Sequence, residues 1–378
     1  MWRMHLRIVI GALFLLLCAS PLYAQLAVPG QCHDGVLPKG ALSRICVPAS
    51  GWNGDLIVWA HGYTAFNEPI AFQNLTLQDG TFLPDLVQAL GFAFATTSYR
   101  QNGLAILEGV DDIRELVAAF PAQAGTTAKR TFMVGASEGG IVSALAIERS
   151  PQLFTGALCL CGPIGSFRGQ VDYVGDFRVL FDYYFPNVLP GSPINIPANV
   201  INDWDAVYVP QITAAVQANP NAARQLIKVS KAATDPADSS TITNTIVTLL
   251  WYNVFGTNDA SQKLGGNPFD NRNRFYFGST NDLQLNLGVK RFAAVPAALN
   301  AMVPYETSGI IRRPTVTLHT TGDQIIPYFH ELLYIGKVQT LPGGSFLPIP
   351  VNRYGHCNFT TQEAVNSFLI LLFMAGTN

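Results

Sequence analysis

The segment "RTFMVGASEGGIVSALAIERS", residues 130–150, decides the fold. An apolar run ends in Gly-Ala-Ser and is followed at once by apolar residues at helical spacing. This pattern predicts a buried strand that turns sharply into a helix, with Ser137 at the turn. Gly135, Gly139 and Gly140 flank the turn, and because they lack Cβ atoms the helix can approach neighbouring strands closely. Such a turn would lift the serine hydroxyl above the sheet, beside the positive end of the helix.

The segments around this turn alternate between buried strands and amphipathic helices. Strands are predicted at residues 54–63, 91–100, 130–137 and 154–163, and helices at residues 83–90, 104–120 and 138–150. The second helix is expected to stop at residue 120 because a proline follows it. This alternation predicts an α/β protein with a doubly wound, mostly parallel sheet that carries helices on both faces.

The alternation breaks between residues 163 and 311, a segment rich in Asn, Pro, Asp and aromatic residues with several helical patches. It returns with strands at 313–323 and 346–356 and helices at 328–339 and 361–376. We therefore predict one α/β domain, residues 25–162 and 312–378, interrupted by a largely helical cap at 163–311.

Composition narrows the class of protein. Hydrophobic residues make up 49% of the 378 residues and charged residues 13%, so the chain is not expected to be disordered. The formal net charge is −2 and no basic run is present that could follow a phosphate backbone. A nucleic-acid partner is not expected.

The N-terminus has the pattern of a signal peptide. Arg3 and Arg7 precede an apolar run at 8–17, and the small residue Ala24 precedes the expected cleavage point. The apolar run is short for a membrane span, although an N-terminal membrane anchor is the alternative. Removal of residues 1–24 takes away two basic groups and leaves a charge of 21 − 25 = −4. The mature protein is expected to be soluble, secreted or periplasmic, with no stable membrane anchor.

Export permits disulfide bonds. Cys32 and Cys46 flank a short segment containing glycine and proline, and we expect them to pair. Of Cys159, Cys161 and Cys357, at least one must stay unpaired unless it bonds to another molecule. Strand alternation would place Cys159 and Cys161 on one face, which favours buried core thiols.

A serine nucleophile needs a base, and three histidines follow Ser137 in the sequence. His319 falls inside a predicted strand and His330 on a predicted helix, and both positions favour packing roles. His356 falls in the loop between the last strand and the last helix. Functional loops of a doubly wound sheet gather at such positions, so His356 is the candidate base.

The base in turn needs a carboxylate to orient it. Asp323 follows the preceding strand and precedes a proline-containing turn, which makes it the candidate acid. A purely structural turn aspartate is the alternative, and Asp282 in the cap is then the next carboxylate to test. The His and Cys spacings favour no metal site, and no glycine-rich phosphate loop occurs. No cofactor is expected.

Together these motifs resemble the α/β-hydrolase family of serine hydrolases. The order nucleophile Ser137, acid Asp323, base His356 matches that family, as does "HGY" at the end of the first buried strand. The resemblance implies an oxyanion hole made by the backbone N–H groups of Tyr63 and Glu138, with the Glu138 side chain exposed or salt-bridged. His61 would brace the oxyanion loop.

The segments "ASEGG" and "GHCNF" resemble those of secreted bacterial esterases, and a weaker resemblance is to tannases and feruloyl esterases. Those enzymes pair cysteines beside the catalytic serine and histidine. Here Cys357 follows His356, but Ala136 precedes Ser137, so that disulfide is not expected.

The resemblance implies acyl transfer in two steps, without a metal or cofactor. The expected substrate is a small-molecule carboxylic ester with a medium-chain or aromatic group, because the cap is rich in aromatic residues. Phe181, Tyr184 and Trp251 are the candidate substrate-binding residues. A peptidase or amidase on the same fold is the alternative, and a non-catalytic binding protein on a hydrolase scaffold is a further one.

Overall fold

An eight-stranded, mostly parallel sheet forms the centre of the molecule. The computed structural model describes residues 27–376, so the predicted signal peptide at 1–24 lies outside the described residues. The strands are β1 (Cys32–Val36), β2 (Leu42–Cys46), β3 (Asp55–Ala60), β4 (Ala93–Thr97), β5 (Arg130–Ala136), β6 (Gly156–Leu160), β7 (Ile310–Ile311), β8 (Pro314–Gly322), β9 (Gln339–Thr340) and β10 (Ser345–Tyr354). Strands β7 and β9 form a separate parallel pair.

Some of the helices pack on the two faces of the sheet, and those between β6 and β7 form an insertion. They are α1 (Leu83–Ala89), α2 (Ile106–Ala124), α3 (Glu138–Arg149), α4 (Phe167–Tyr184), α5 (Ala198–Asn202), α6 (Val209–Ala218), α7 (Pro220–Ser230), α8 (Ser240–Lys263), α9 (Asp282–Gly288), α10 (Pro296–Ala301), α11 (Phe329–Lys337) and α12 (Thr361–Gly376). Every residue of β3, β4 and β6 is buried, as expected of strands covered on both faces. The predicted α/β architecture is confirmed.

The sheet order places the end of β5 at a topological switch point. The strands run β1-β2-β4-β3-β5-β6-β8-β10, and those from β4 to β10 are parallel. The chain passes from β3 to β4 on one side and then returns to β5 on the other side of β3. In doubly wound sheets the crevice at such a point, at the carboxyl ends of the strands, is where ligands bind. Ser137 directly follows β5.

Two features near the N-terminus differ from the sequence predictions. The segment between Cys32 and Cys46 is a β-hairpin whose second strand, β2, pairs antiparallel with β4. Helix α2 continues past Pro121 and ends at Ala124, and its C-cap residue, Gly125, has a φ of 71°. The predicted stop at residue 120 is wrong because one proline near the end of a helix removes only one backbone hydrogen bond there, while glycine provides the left-handed C-terminal cap.

Strand β10 contains Pro348 and Pro350. Proline cannot donate a hydrogen bond to a neighbouring strand, so it is tolerated only at sheet edges and bulges. Strand β10 is the last in the order and pairs only with β8 in the described sheet. The edge position therefore explains how this segment remains a strand.

The segment between β6 and β7 is mainly helical and has its own hydrophobic core. Helix α4 packs against α7 and α8, and the core is built from aromatic and aliphatic side chains of these helices and their neighbours. Within residues 27–376, no helix is both long and apolar enough to cross a membrane.

Candidate active site

The turn after β5 holds Ser137 in a strained conformation. Its φ is 59° and its ψ is −122°, a combination that non-glycine residues rarely adopt. A Cβ atom at Gly139 would overlap the carbonyl oxygen of Ala60, and one at Gly140 would lie 2.7 Å from the carbonyl oxygen of Leu160. The glycines thus allow α3 to pack directly on β3 and β6, as the sequence pattern predicts, and this packing sustains the sharp turn.

Ser137, His356 and Asp323 form a continuous hydrogen-bonded chain. His356 Nε2 lies 2.9 Å from Ser137 Oγ, and His356 Nδ1 lies 2.7 Å from Asp323 Oδ2. Ser137 follows β5, His356 follows β10 and Asp323 follows β8. The sheet brings the carboxyl ends of these three strands to one edge, where the three side chains meet. This geometry suits proton removal from the serine hydroxyl by the imidazole while the carboxylate fixes the ring.

Asp323 is held rigidly in its ionised form. Its Oδ1 accepts hydrogen bonds from the backbone N–H groups of Ile325 and Ile326, each at 2.9 Å. The residue is 1% exposed. Burial alone would raise its pKa, but the interactions with His356 and His319 outweigh burial and keep the pKa below its usual value. Asp323 can therefore stabilise the imidazolium that forms on His356.

His319 lies behind the acid. Its Nε2 is 2.8 Å from the carbonyl oxygen of Ile326 and 3.4 Å from Asp323 Oδ2, and its Nδ1 is 3.3 Å from Glu331 Oε1. Both ring nitrogens therefore face acceptors. Burial disfavours the imidazolium, but the carboxylates of Asp323 and Glu331 outweigh burial and raise the pKa of His319 to about 9. The packing role predicted for His319 thus includes direct contact with the acid.

His330 has the packing role that its helical position predicts. Its Nδ1 accepts from the Ser166 N–H at 3.3 Å, and its Nε2 donates to Gln170 Oε1 at 3.0 Å. Burial lowers its pKa to about 3, so the ring is neutral. Gln170 also donates to the carbonyl oxygen of Ile325 at 2.8 Å, which ties α4 to the loop that carries the acid.

The "HGY" loop lies beside the nucleophile. A Cβ atom at Gly62 would be 3.2 Å from Ser137 Cβ, so the backbone of Gly62 and Tyr63 passes next to the serine. His61 stacks on Tyr99 with ring centroids 3.9 Å apart, and Tyr99 Oη donates to the carbonyl oxygen of His61 at 3.1 Å. These contacts brace the loop from behind. The Glu138 N–H, the first of α3, comes from the residue after the nucleophile.

The Glu138 side chain is neither exposed nor salt-bridged, contrary to the prediction. It is 6% exposed, and its Oε1 accepts from the Ala105 N–H at 3.0 Å. Within residues 27–376 it makes no ion pair. Burial raises its pKa to about 8. The reason is that the close packing of α3 on the sheet buries the start of the helix.

Two disulfide bonds are present among residues 27–376. Cys32 pairs with Cys46, which agrees with the prediction from their spacing, and Cys161 pairs with Cys357. The expectation of a core thiol at Cys161 is wrong, since β6 ends at Leu160 and Cys161 has a φ of 43°, which turns it out of the strand alternation. Cys159 is a buried free thiol.

The second disulfide links the loop of the candidate base to the strand beside the nucleophile. Cys357 directly follows His356, and the Ser137 N–H donates to the carbonyl oxygen of Leu160 at 3.0 Å, one residue before Cys161. This bond does not use the position before Ser137, which is Ala136; it settles instead the pairing that the sequence left open for Cys161 and Cys357. In tannases the first cysteine lies beside the serine, which corresponds here to the end of β5. In this protein the first cysteine, Cys161, instead follows β6, the strand next to β5.

Two cavities meet at Ser137. The inner cavity, about 170 Å³, lies between the cap helices α4 and α8 and the sheet, and its lining includes Phe167, Val171, Val174, Tyr252, Gly256 and Ile325. The outer cleft, about 880 Å³, includes His356 and polar residues of the segments 74–79 and 353–361 in its lining. Tyr63 and Ser137 line both, and Glu138 lines the inner cavity.

The predicted substrate-binding aromatics lie elsewhere. In the described part of the chain, Phe181, Tyr184 and Trp251 line neither cavity. Phe181 is fully buried and stacks on Phe185, Tyr184 packs against Tyr183, and Trp251 stacks on Phe255. These residues face the cap's own core. Trp251 reaches the site only indirectly, through an edge contact with Tyr63 at 6.0 Å.

Asp282, the alternative acid, has a structural role in the cap. Its carboxylate accepts hydrogen bonds from Ser279 Oγ and the Gly278 and Ser279 N–H groups at the start of α9. These contacts lower its pKa, the Ser279 hydroxyl being the largest cause. Asp282 therefore stabilises a turn in the cap, and Asp323 is the carboxylate that meets His356.

Comparison with known proteins gives likeness of fold alone. No profile of a known protein family matches the chain, and no curated protein matches it. An acylaminoacyl peptidase in complex with Z-Gly-Gly-Phe-chloromethyl ketone is 11% identical over 92% of this chain and 41% of its own, with a TM-score of 0.46. This chain thus spans about two fifths of that protein's length. An esterase from Pyrococcus furiosus is 8% identical over 92% of both chains, with a TM-score of 0.44.

A hydrolase from Agrobacterium vitis S4 is 12% identical over 91% of this chain and 98% of its own, with a TM-score of 0.43. The strand order, the turn at Ser137 and the chain order Ser137, Asp323, His356 define the class of this protein. It has the α/β-hydrolase fold, with the serine, the acid and the base in the chain order that serine hydrolases of this fold use.

Proposed function

We propose that the protein is an exported esterase that cleaves carboxylic esters of medium-chain or aromatic acids through an acyl-enzyme. The observation that carries the proposal is the hydrogen-bonded chain from Asp323 through His356 to Ser137, with distances of 2.7 and 2.9 Å. A serine hydroxyl has little reactivity unless a base removes its proton, and this chain supplies the base.

The mechanism follows from the positions of these groups. Ser137 Oγ attacks the ester carbonyl carbon while His356 Nε2 takes its proton, and the Asp323 carboxylate stabilises the imidazolium. The backbone N–H groups of Tyr63 and Glu138 would donate to the oxyanion, and each such donor contributes roughly 3 kcal/mol to lowering the barrier. His356 then gives its proton to the departing alcohol. Water, activated by the same imidazole, releases the acid and restores the serine.

The inner cavity supports an ester of an apolar acid. Most of its lining is aliphatic or aromatic, and within the described chain Glu138 is the single Asp, Glu, Lys, Arg or His residue in it. Since burial raises the pKa of Glu138 to about 8, that carboxyl is mainly protonated at neutral pH. An uncharged apolar cavity favours an apolar group over a charged peptide side chain.

Two observations support export. The N-terminal pattern of Arg3, Arg7, an apolar run and Ala24 is that of a signal peptide. The disulfides Cys32–Cys46 and Cys161–Cys357 are of the kind that form and persist in oxidising compartments.

The test uses the purified protein with residues 1–24 removed. A fluorophosphonate probe should label the wild type and the Ser143→Ala variant but not Ser137→Ala. Ser143 is a buried serine on α3, the helix that follows Ser137, and its hydroxyl donates to the Gly139 carbonyl oxygen. The wild type should hydrolyse p-nitrophenyl esters faster than a panel of peptide anilides. Faster cleavage of any anilide than of every ester would establish the peptidase alternative instead.

A further inference from the structure

The turn at residues 102–105, between β4 and α2, is bound to three separate parts of the protein. Its backbone contacts the cap helix α8, the "HGY" loop and the residue that follows the nucleophile. We infer that this turn aligns the two oxyanion donors, and that Asp259 on α8 is the positioning residue that holds the turn in place. The inference rests on the proposed function, because it concerns the N–H groups of Tyr63 and Glu138 that the mechanism uses.

Two contacts of the turn lead to the oxyanion donors. The Gly103 N–H donates to the carbonyl oxygen of Thr64 at 2.8 Å, and Thr64 directly follows Tyr63. The Ala105 N–H donates to Glu138 Oε1 at 3.0 Å. The turn therefore restrains both residues whose N–H groups face the oxyanion. Because each donor must point at the place where negative charge develops, a displacement of either residue weakens the oxyanion hole.

Two side chains of α8 hold the same turn from the cap. Asp259 Oδ2 accepts the Leu104 N–H at 2.7 Å, and Asp259 Oδ1 lies 3.0 Å from Lys263 Nζ. Lys263 Nζ also donates to the carbonyl oxygen of Asn102 at 2.6 Å. Asp259 is 7% exposed, and hydrogen bonds to a charged group are stronger than those between neutral groups. Helix α8 thus fixes the turn at two points.

The fit of Asp259 against the turn is close. A Cβ atom at Gly103, which has a φ of 75°, would overlap the Asp259 carboxylate. Tyr63 Oη donates to the carbonyl oxygen of Phe255 at 3.0 Å, one helical turn before Asp259. Helix α8 therefore contacts the oxyanion loop directly and, through Asp259, the turn that supports it.

The test compares Asp259→Asn with Asp182→Asn in the protein with residues 1–24 removed. Asp182 is the matched control, since it pairs with Arg178 four residues away on α4 as Asp259 pairs with Lys263 on α8. Asparagine keeps the shape of aspartate but removes the charge. We expect Asp259→Asn to lower kcat for p-nitrophenyl hexanoate about 10- to 100-fold and to change KM less than about twofold, because the oxyanion exists only in the transition state. Asp182→Asn should change neither constant more than about twofold.

A trifluoromethyl ketone gives a readout that is specific to the oxyanion. Ser137 Oγ adds to the carbonyl carbon of hexyl trifluoromethyl ketone, His356 takes the serine proton, and the carbonyl oxygen becomes the oxyanion. The inhibition constant of this ketone should rise in Asp259→Asn by the factor by which kcat/KM falls. The corresponding secondary alcohol forms no oxyanion, so its inhibition constant should change less than about twofold. Lys263→Met, which removes the second anchor of the turn, should shift the ketone in the same direction.

Two outcomes would overturn the inference. One is an equal kcat for Asp259→Asn and Asp182→Asn, and the other is an equal loss of affinity for the ketone and the alcohol, which would indicate a general distortion of the site. A wild type that cleaves peptide anilides and no ester would refute the proposed function alone. The oxyanion forms in both reactions, so the ketone and alcohol comparison would still decide whether Asp259 positions its donors.

Discussion

The two disulfides should differ in their contribution to stability because they close loops of very different size. Cys32 and Cys46 are separated by 14 residues, and Cys161 and Cys357 by 196. In the chain-entropy description, a cross-link stabilises the fold by restricting the unfolded chain, by an amount that grows with the logarithm of the loop length. This gives about 3 kcal/mol for the short loop and about 5 kcal/mol for the long one.

The comparison uses the double variants Cys32→Ala/Cys46→Ala and Cys161→Ala/Cys357→Ala. In each pair one cysteine is fully buried and the other is partly exposed, so the changes in packing are similar. Guanidinium unfolding followed by tryptophan fluorescence should give a free energy of unfolding about 2 kcal/mol lower for the second variant than for the first. Equal m-values are needed for the comparison to hold.

Activity separates the two disulfides further. Cys357 adjoins His356, so loss of the long-range bond should lower kcat for p-nitrophenyl esters with little change in KM, while loss of the hairpin bond should leave kcat unchanged. The reasoning is refuted if Cys161→Ala/Cys357→Ala unfolds at the same or a higher guanidinium concentration than Cys32→Ala/Cys46→Ala and retains its kcat.

Four further predictions concern the acid and the buried titratable groups. Asp323→Asn should lower kcat by roughly three to four orders of magnitude, whereas Asp282→Asn should leave it unchanged; steady-state rates that reverse this order would exclude Asp323 as the acid. Because the pKa of His319 is raised to about 9, its contribution to the free energy of unfolding is fully present below about pH 6.5 and is lost as the pH rises through about 9. Unfolding titrations should show this loss in the wild type and not in His319→Gln. The opposite holds for His330, because burial lowers its pKa to about 3. The contribution of His330 to the free energy of unfolding is present above about pH 6.5 and is lost as the pH falls. The variant His330→Gln should lack this pH dependence of the free energy of unfolding. Finally, since burial raises the pKa of Glu138 to about 8, KM for benzoate esters should rise above that pH in the wild type but stay level in Glu138→Gln, and a parallel rise in both would contradict the assignment.

The parts of the site that follow from local pattern could be predicted from the sequence. Ser137 lies where a buried apolar run meets a helical one, and its flanking glycines are needed at close approaches of α3 to β3 and β6. Asp323 and His356 each follow a predicted strand. Because parallel strands bring their carboxyl ends to one edge of a sheet, the order of these residues was enough to predict that they meet.

What could not be predicted depends on tertiary packing. Cys161 pairs with Cys357 because a positive φ turns it out of the strand, and period-two alternation assumes that the strand continues. His319 contacts Asp323 because the chain folds back after β8 ends at Gly322, and no periodicity encodes the shape of that fold. The aromatic residues of α4 divide between the cap core and the inner cavity, so that Phe167 lines the cavity and Phe181 does not. Composition shows that a helix is rich in aromatic residues, but it does not show which of them face the cavity.

The order in which the site residues occur along the chain has a consequence for biosynthesis. A ribosome makes Ser137 and Cys161 first, then the whole helical insertion, and only afterwards Asp323, His356 and Cys357. Strand β8, which must insert beside β6, is also translated after the insertion. A growing chain therefore carries Ser137 without its base, and the hydrogen-bonded chain of the site cannot form until His356 has been translated.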